Sequence, residues 1–339
     1  MTGGKRRTAA KIAVLALAFS LLGYVMWRIG WDEVVRYITR IGPLAAIGLI
    51  AAGYLENFCD AQALRAGLGA GAGRLKTLVI NQAGAFVNTF VPFEGGEVFK
   101  ATLLRKLVGG KSAFTGIILW NYLAKLTKSI AILVTSCAAW LIAEGGEAES
   151  IAGLLVLLSV VSFSMFLLFK LVLMLGLTEK IARILVRLHL LRRSPEELVA
   201  KAREIDQTVR HFYTRERGRY FAIVGYQRAA RVVNFFTRWF LIAILGGGGF
   251  REALVAYSTF GLTTFITLAF PNRIGVDEGA GYVVFKLVGL DPTLGVMLQF
   301  VVRLRNVVTN GTALPIALGL ERKVPAEPEA PAEPEEKAP

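Results

Sequence analysis

The chain has 339 residues, of which 54% are hydrophobic, and its mean hydropathy is +0.53. These values exclude an ordinary soluble domain and predict a multi-pass helical membrane protein. The net charge of +14 would suit a nucleic-acid-binding protein, but the basic residues lie mainly in short loops beside apolar runs and inside those runs, a pattern that favours positive-inside topology and anionic lipid. The two cysteines lie within apolar runs and the two histidines are isolated, so we expect neither a disulfide framework, a metal site nor a cofactor.

The first two apolar runs are predicted to cross the membrane. Residues 9–29 follow a basic cluster, and we interpret them as a retained signal anchor with a cytoplasmic N-terminus. The second run, 44–64, carries Glu56 and Asp60, which share one helical face because they are four positions apart. These carboxylates could face a bundle interior or lie near the cytoplasmic end, and the sequence leaves both interpretations open.

A broken segment follows at 77–107. Its apolar part spans only about 21 Å, less than the roughly 30 Å hydrocarbon core, and Pro92 ends it. Gly95 and Gly96 permit a tight reversal, and Glu97 opens a short helix that would start inside the bilayer. Because a helix start has unpaired N–H groups, we expect this one to attract an anion. An ordinary proline-kinked crossing is the alternative.

Three further crossings are predicted in the middle of the chain, at 114–142, 151–177 and 220–245. They contain five basic residues of interest: Lys125, Lys128, Arg228, Arg231 and Arg238. The intervening stretch 178–219 is rich in Lys and Arg and should be cytoplasmic. The motif SPEE predicts the start of an amphipathic helix at 195–213, suited either to the membrane surface or to packing on the protein's own loops.

A second broken segment repeats features of the first. Pro271 and Gly275 precede Glu278, and KLVG occurs at both 106–109 and 286–289. In each copy another basic residue, Lys125 or Arg305, lies 19 positions after the lysine of this motif. This ordered series predicts an internal repeat. A last crossing, 293–320, carries Arg303 and Arg305, and the Pro/Ala/Glu-rich tail 324–339 is predicted to be disordered.

Loop charge predicts the orientation of these segments. If the first broken segment enters and leaves on one side, the basic loops are cytoplasmic and the acidic loop 144–150 is external. Three crossings then separate the two broken segments, so they open from opposite faces. The predicted fold is therefore an all-α polytopic membrane protein in which two re-entrant broken-helix hairpins form an inverted repeat. Residues 1–323 make one membrane domain.

The motifs FVPFEGGEVFKATLLRK and FPNRIGVDEGAGYVVFKLVGLDP, followed by VVRLRN, resemble the flippase-like transmembrane region of the lysylphosphatidylglycerol synthase family. The resemblance covers roughly residues 10–320 and implies lipid movement without the soluble aminoacyl-transfer domain of full-length members. The family pattern falls on these residues: Pro92, Gly95, Gly96, Glu97, Lys100, Gly275, Glu278 and Arg303. Lys100 replaces the usual arginine, and Asp277 stands where a basic residue is common.

These observations predict a flippase-like or scramblase-like protein that moves an anionic or phosphate-bearing lipid through a basic midplane cavity. The candidate headgroup-binding residues are Glu97, Lys100, Lys125, Arg228, Arg231, Glu278, Arg303 and Arg305, and the hairpin breaks are Pro92, Gly95, Gly96, Pro271 and Gly275. Expected partners are phospholipid, polyprenyl phosphate or hopanoid-like lipid, with a homo-oligomer or a partner enzyme left open. We expect a plasma (inner) membrane location with both termini cytoplasmic. The alternatives are a noncatalytic partner of a lipid-modifying enzyme, or an enzyme with Glu97 and Glu278 as acid and base.

Overall fold

A computed structural model describes Trp27 and residues 30–69, 73–91, 95–108, 110–142, 146–187, 195–246, 248–266, 275–287 and 289–323. Apart from turns, caps and a kink at Gly42 inside the first helix, these residues are helical, which confirms the all-α prediction. In chain order the helices are α1 (Trp31–Leu68), α2 (Arg74–Phe90), α3 (Gly95–Val108), α4 (Gly110–Leu141), α5 (Gly146–Met174), α6 (Leu177–Arg187), α7 (Pro195–Arg215), α8 (Arg217–Leu245), α9 (Phe250–Ile266), α10 (Val276–Leu287), α11 (Pro292–Gly311) and α12 (Ala313–Lys323).

Two stretches of the described chain, Val35–Leu68 and Gly116–Leu141, are long and apolar enough to cross a membrane. Gly153–Leu168 is a shorter apolar helix within α5. Helix α8 coincides with the predicted crossing 220–245, although its arginines lower its hydropathy. The tail 324–339 lies outside the described residues, as do Pro92, Pro271 and, except for Trp27, the predicted first crossing. Re-entry of the two hairpins into the bilayer stays a prediction.

Helix α1 and helix α8 form the most extensive pairing in the described part of the chain. They run antiparallel, and an arginine fastens each end of the pair. Arg40 of α1 donates from Nη1 to the carbonyl of Leu245 at 3.3 Å. Arg219 of α8 donates to the carbonyls of Ala66 and Gly67 at 2.8 and 2.7 Å. Carbonyls in the last turn lack an intrahelical partner, so each arginine satisfies the C-terminal end of the opposite helix.

In each of the two broken segments a pair of glycines lets two helices touch backbone to backbone. A Cβ added to Gly96 of α3 would lie 1.9 Å from the carbonyl oxygen of Gly84 in α2. Likewise, a Cβ on Gly295 of α11 would lie 2.0 Å from the carbonyl oxygen of Gly281 in α10. Small residues permit such close approach in membrane proteins. The two broken segments therefore share this packing device, but the first uses it within the hairpin and the second against the next helix.

Helices α6 and α7, formed by the Lys- and Arg-rich stretch 178–219, pack against each other as a separate pair. The Asp206 carboxylate accepts from the backbone N–H of Glu179 at 3.0 Å, at the start of α6. The Glu179 carboxylate accepts two bonds from Arg203 at 2.7 and 3.0 Å, and it also pairs with Arg183. Hydrogen bonds from Arg203, and then from Arg183, lower the pKa of Glu179 to about 2. Helix α7 buries Phe212 in the core, so this predicted amphipathic helix packs on the protein itself.

Candidate functional site

The polar residues of α1 meet cations from α8 and α11. Arg305 donates from Nη2 to the Glu56 carboxylate at 3.0 Å, and Arg231 lies 3.3 Å from an oxygen of Asp60. Glu56 and Asp60 are one turn apart on the same face, as the sequence predicted. Of the two alternatives left open for these carboxylates, the structure supports the bundle interior.

An amide and a third arginine extend this network along α8. Asn234 donates from Nδ2 to Glu56 at 2.9 Å, and its side-chain oxygen accepts from Nε of Arg238 at 3.1 Å. The Arg238 guanidinium also lies over the ring of Phe260, 5.4 Å from its centroid. No carboxylate lies within ion-pair distance of Arg238 among the residues that the structure describes. The amide of Asn234 therefore bridges Glu56 and Arg238, the arginine for which the described residues supply no ion-pair partner.

We call Arg231, Arg238 and Arg305 the arginine cluster. Each has one buried guanidinium nitrogen without a hydrogen-bond acceptor: Nε of Arg231, Nη1 of Arg238 and Nη1 of Arg305. Buried polar groups are normally paired, because an unsatisfied donor costs about 1–3 kcal/mol. Counted over the three arginines and their two carboxylate partners, Glu56 and Asp60, the cluster has one more positive than negative charge. This arrangement can accept an anion with several oxygen atoms.

A second centre joins α10 to α11. Arg303 pairs with Glu278 through two bonds, Nε to Oε1 at 2.6 Å and Nη2 to Oε2 at 3.0 Å. Glu278 is 0% exposed, and Asp277 lies 3.6 Å from the same guanidinium. The geometry is the bidentate form that fixes both the distance and the orientation of an arginine and a carboxylate. Glu278 and Arg303 therefore lock the two helices together.

The first hairpin has a different arrangement. Glu97 pairs with Lys100, which lies three residues later on the same helix, at 2.7 Å. The Lys100 ammonium lies 3.5 Å from the side-chain oxygen of Asn81 and 4.0 Å from the ring centroid of Trp120. One Glu97 oxygen, Oε2, is buried without a hydrogen-bond partner. Glu97 also accepts a hydrogen bond from Nδ2 of Asn88 on α2 at 3.1 Å. The two glutamates at corresponding positions of the repeat thus differ in their ion pairs, since Glu278 pairs with an arginine of a neighbouring helix and Glu97 with a lysine of its own.

At the start of α3 and at the start of α10, one backbone N–H group is paired with a side chain of the protein. The N–H of Gly96 donates to the side chain of Asn88 at 2.7 Å, and the N–H of Gly275 donates to Glu278 at 2.8 Å. These are intramolecular caps of the kind that satisfy the first turn of a helix. These two N–H groups are therefore already paired within the protein, and the expectation that the start of α3 attracts an anion stays a prediction.

The structure divides the predicted headgroup-binding residues among these centres. Arg231 and Arg305 lie in the arginine cluster, Glu278 and Arg303 form the second centre, and Glu97 and Lys100 pair in the first hairpin. Lys125 lies half-buried on α4, and Arg228 is exposed on α8 outside the cluster.

Sequence reasoning left several members of the network out of the predicted site. Arg238, Asn234 and Gln227 were not included, although each lies on the inward face of α8. With its amide nitrogen turned toward Asp60, Gln227 donates to Oδ1 at 3.2 Å and accepts from Trp120 at 2.8 Å. The spacing of Gln227, Arg231, Asn234 and Arg238, at intervals of three or four, was the available signal. Within the described residues no group of His, Cys, Asp and Glu could hold a metal ion.

Comparison with known protein families identifies the chain. The family described as lysylphosphatidylglycerol synthase TM region matches residues 9–312. The chain belongs to this family. No curated protein and no solved structure matches the chain. Membership confirms the resemblance seen in the sequence, and it assigns the protein to a lipid-related transmembrane family.

The family match includes every helix that contributes to the polar network. It begins before α1 and ends at the junction of α11 with α12, so it contains Glu56, the arginine cluster and both Glu97 and Glu278. The buried charges therefore lie within the part of the chain that the family covers. Charged side chains inside a membrane bundle are costly, which makes this network a candidate functional site.

Proposed function

We propose that the protein moves a lipid with a phosphate or other anionic headgroup between the two leaflets of the plasma membrane, and that the arginine cluster binds the headgroup. The observation that carries this proposal is the set of three buried guanidinium nitrogens without acceptors. A phosphate group offers several acceptor oxygens and negative charge, so it would satisfy these donors and neutralise the surplus positive charge. The lipid-related family is consistent with such a substrate.

The two broken segments supply the moving parts in this proposal. Each is a hairpin that enters from one face of the bilayer, and together they would expose the arginine cluster alternately to the two sides. Both termini would be cytoplasmic. The protein acts as a transporter and catalyses no covalent change in the lipid.

Arg238 offers the sharpest test because it has no carboxylate partner. Arg238→Gln removes a donor to the headgroup without leaving a buried carboxylate unpaired, whereas the same change at Arg231 or Arg305 breaks an ion pair. Purified protein in liposomes would be supplied with a fluorescent anionic phospholipid, and its movement would be followed in each direction by quenching of the outer leaflet. We expect Arg238→Gln to lower the rate by about tenfold or more, the factor for one charge-assisted hydrogen bond.

Two variants control this experiment. Arg187→Gln changes an exposed arginine on α6 and should leave the rate unchanged, while Arg238→Lys keeps the charge and should retain part of the activity. If wild-type protein moved no lipid, or if Arg238→Gln moved it at the wild-type rate, the proposal would be refuted. Chemical conversion of the lipid by the purified protein would instead support an enzyme.

A further inference from the structure

Arg228 occupies an unusual position for a cation on a membrane helix. It lies on α8 one turn before Arg231, with its side chain exposed. It has neither a hydrogen-bond nor an ion-pair partner in the described part of the protein. Two exposed apolar residues share its face of the helix, Phe221 seven positions earlier and Val232 four positions later, with 67% and 54% of their surface accessible. Arg228 is thus a lone cation within an apolar, lipid-facing strip.

The pairing of α8 with α1 defines the depth of Arg228. Arg219 contacts the carbonyl of Gly67 near the end of the candidate membrane span Val35–Leu68, and Arg231 contacts Asp60 inside it. Asp60 lies about 12 Å from the Leu68 end, and Arg228 is about 4.5 Å closer to that end than Arg231. Arg228 therefore lies within the span but near enough to its predicted cytoplasmic end for its long side chain to reach the headgroup layer.

Three arginines then form a graded series from the surface to the interior. Arg228 is exposed, the Arg231 side chain is 20% exposed, and that of Arg305 is 5% exposed. Residues three apart on a helix are neighbours, with about 5–6 Å between their Cβ atoms, so an anion held by Arg228 is within reach of Arg231. Nε of Arg231 has no acceptor, which leaves it able to receive one.

We propose that Arg228 is the entry contact for the lipid, where the phosphate group of a lipid from the cytoplasmic leaflet binds before it passes to Arg231. This inference rests on the proposed function. The apolar strip around Arg228 favours a lipid phosphate over a free phosphate ion, because Phe221 and Val232 can pack against acyl chains while the guanidinium pairs with the headgroup.

The test separates binding from movement. Transport by wild-type protein, Arg228→Gln and Arg228→Lys is measured in liposomes over a range of mole fractions of fluorescent phosphatidylglycerol. Arg217→Gln, a change at an exposed arginine at the start of the same helix, is the matched control. We expect Arg228→Gln to raise the half-saturating mole fraction at least threefold with little change in the maximal rate, and Arg228→Lys to restore much of the wild-type value. A maximal rate that falls without a change in half-saturation, or a shift equal to that of Arg217→Gln, would overturn the proposal.

A binding measurement distinguishes failure of this inference from failure of the proposed function. Retention of phosphatidylglycerol by the purified variants is compared by native mass spectrometry, with inorganic phosphate added as a competitor. Lower retention by Arg228→Gln than by Arg217→Gln supports the entry contact even if wild-type protein moves no lipid. Equal retention by the two variants, or displacement of the lipid by millimolar inorganic phosphate, would contradict a lipid-specific contact at Arg228.

Discussion

Arg305 and Glu56 form an ion pair with 3.0 Å between Nη2 and Oε2, although 249 positions separate them in the chain. Each partner also binds an amide, since Arg305 donates to Asn306 and Glu56 accepts from Asn234. The pair joins α11 to α1 in the interior of the bundle, and its two side chains are only 5% and 13% exposed. Removing one member would leave the other buried without its counter-ion.

The Arg305–Glu56 pair predicts strong coupling in a double-mutant cycle. Glu56→Gln and Arg305→Gln should each lower the free energy of unfolding by about 3–5 kcal/mol, because each leaves a buried charge. The double variant should lose clearly less than the sum of the two. Unfolding in detergent micelles, followed by circular dichroism against denaturant, measures all three values. Additive losses would show that the pair contributes no interaction energy.

The two glutamates of the repeat should respond differently to the same substitution. Glu278→Gln breaks a fully buried bidentate pair and should cost about 3–5 kcal/mol of unfolding free energy. Glu97→Gln should cost less, about 1–2 kcal/mol, because Lys100 keeps its contacts with Asn81 and Trp120. The same unfolding assay provides the comparison. Equal losses in stability and in lipid movement would instead favour equivalent roles for the two glutamates in the two hairpins of the predicted repeat.

Close packing at Gly96 predicts a steric effect. Gly96→Ala places a Cβ 1.9 Å from the carbonyl of Gly84, so α2 and α3 must separate. Because backbone cannot move away as a flexible side chain does, we expect a loss of about 1–3 kcal/mol or more in the free energy of unfolding. The matched control is Gly225→Ala on α8, where an added Cβ meets no atom within 4 Å and helix propensity favours alanine. An equal fall in the thermal unfolding temperature of both variants would contradict this steric interpretation.

The pKa of Glu179 predicts the acid stability of the α6–α7 pair. Its folded-state pKa of about 2 lies below the ordinary value of 4.5, so its ion pairs stabilise the folded state above pH 4.5 and are lost as the pH falls toward 2. Spin labels at Ile184 and Arg210, which are both exposed, would report the distance between the helices in a background with Cys59 and Cys137 replaced. We expect one narrow distribution at pH 5 that broadens between about pH 4.5 and 2. Glu179→Gln should be broad at every pH, and a wild-type distribution already broad at pH 5 would contradict the prediction.

Loop charge predicts the topology, and cysteine labelling can test it. In a background without Cys59 and Cys137, single cysteines at 145–149 should react with a membrane-impermeant reagent in intact cells, because this acidic segment, which leads into the first turn of α5, is expected outside. Single cysteines at 190–215 should react only after the membrane is opened. Labelling of both regions from the same side would rule out the predicted inverted repeat.

Periodicity in the sequence was enough to predict the helices and the shared face of Glu56 and Asp60. It could not predict which cation meets which carboxylate, because the pairing of Arg305 with Glu56 depends on how α11 packs against α1. The capping of Gly96 by Asn88 was equally hidden, since it requires α2 and α3 to touch at Gly84. The sequence places Arg238 inside a predicted crossing, but only the structure shows that it has no carboxylate within ion-pair distance among the described residues.

The hydrogen bonds from Arg40 and Arg219 to the helix-end carbonyls restrict how α1 and α8 can move. They act on opposite ends of an antiparallel pair, so a slide of one helix along the other would break both sets of hydrogen bonds at once. A shift of one residue is about 1.5 Å, already enough to carry a donor beyond hydrogen-bond range. Helix α1 is kinked at Gly42, just after Arg40, so the part of α1 that is held against α8 as one straight helix begins after the kink and ends at the contacts of Arg219. We expect opening of the protein to come from other helices that move against this part.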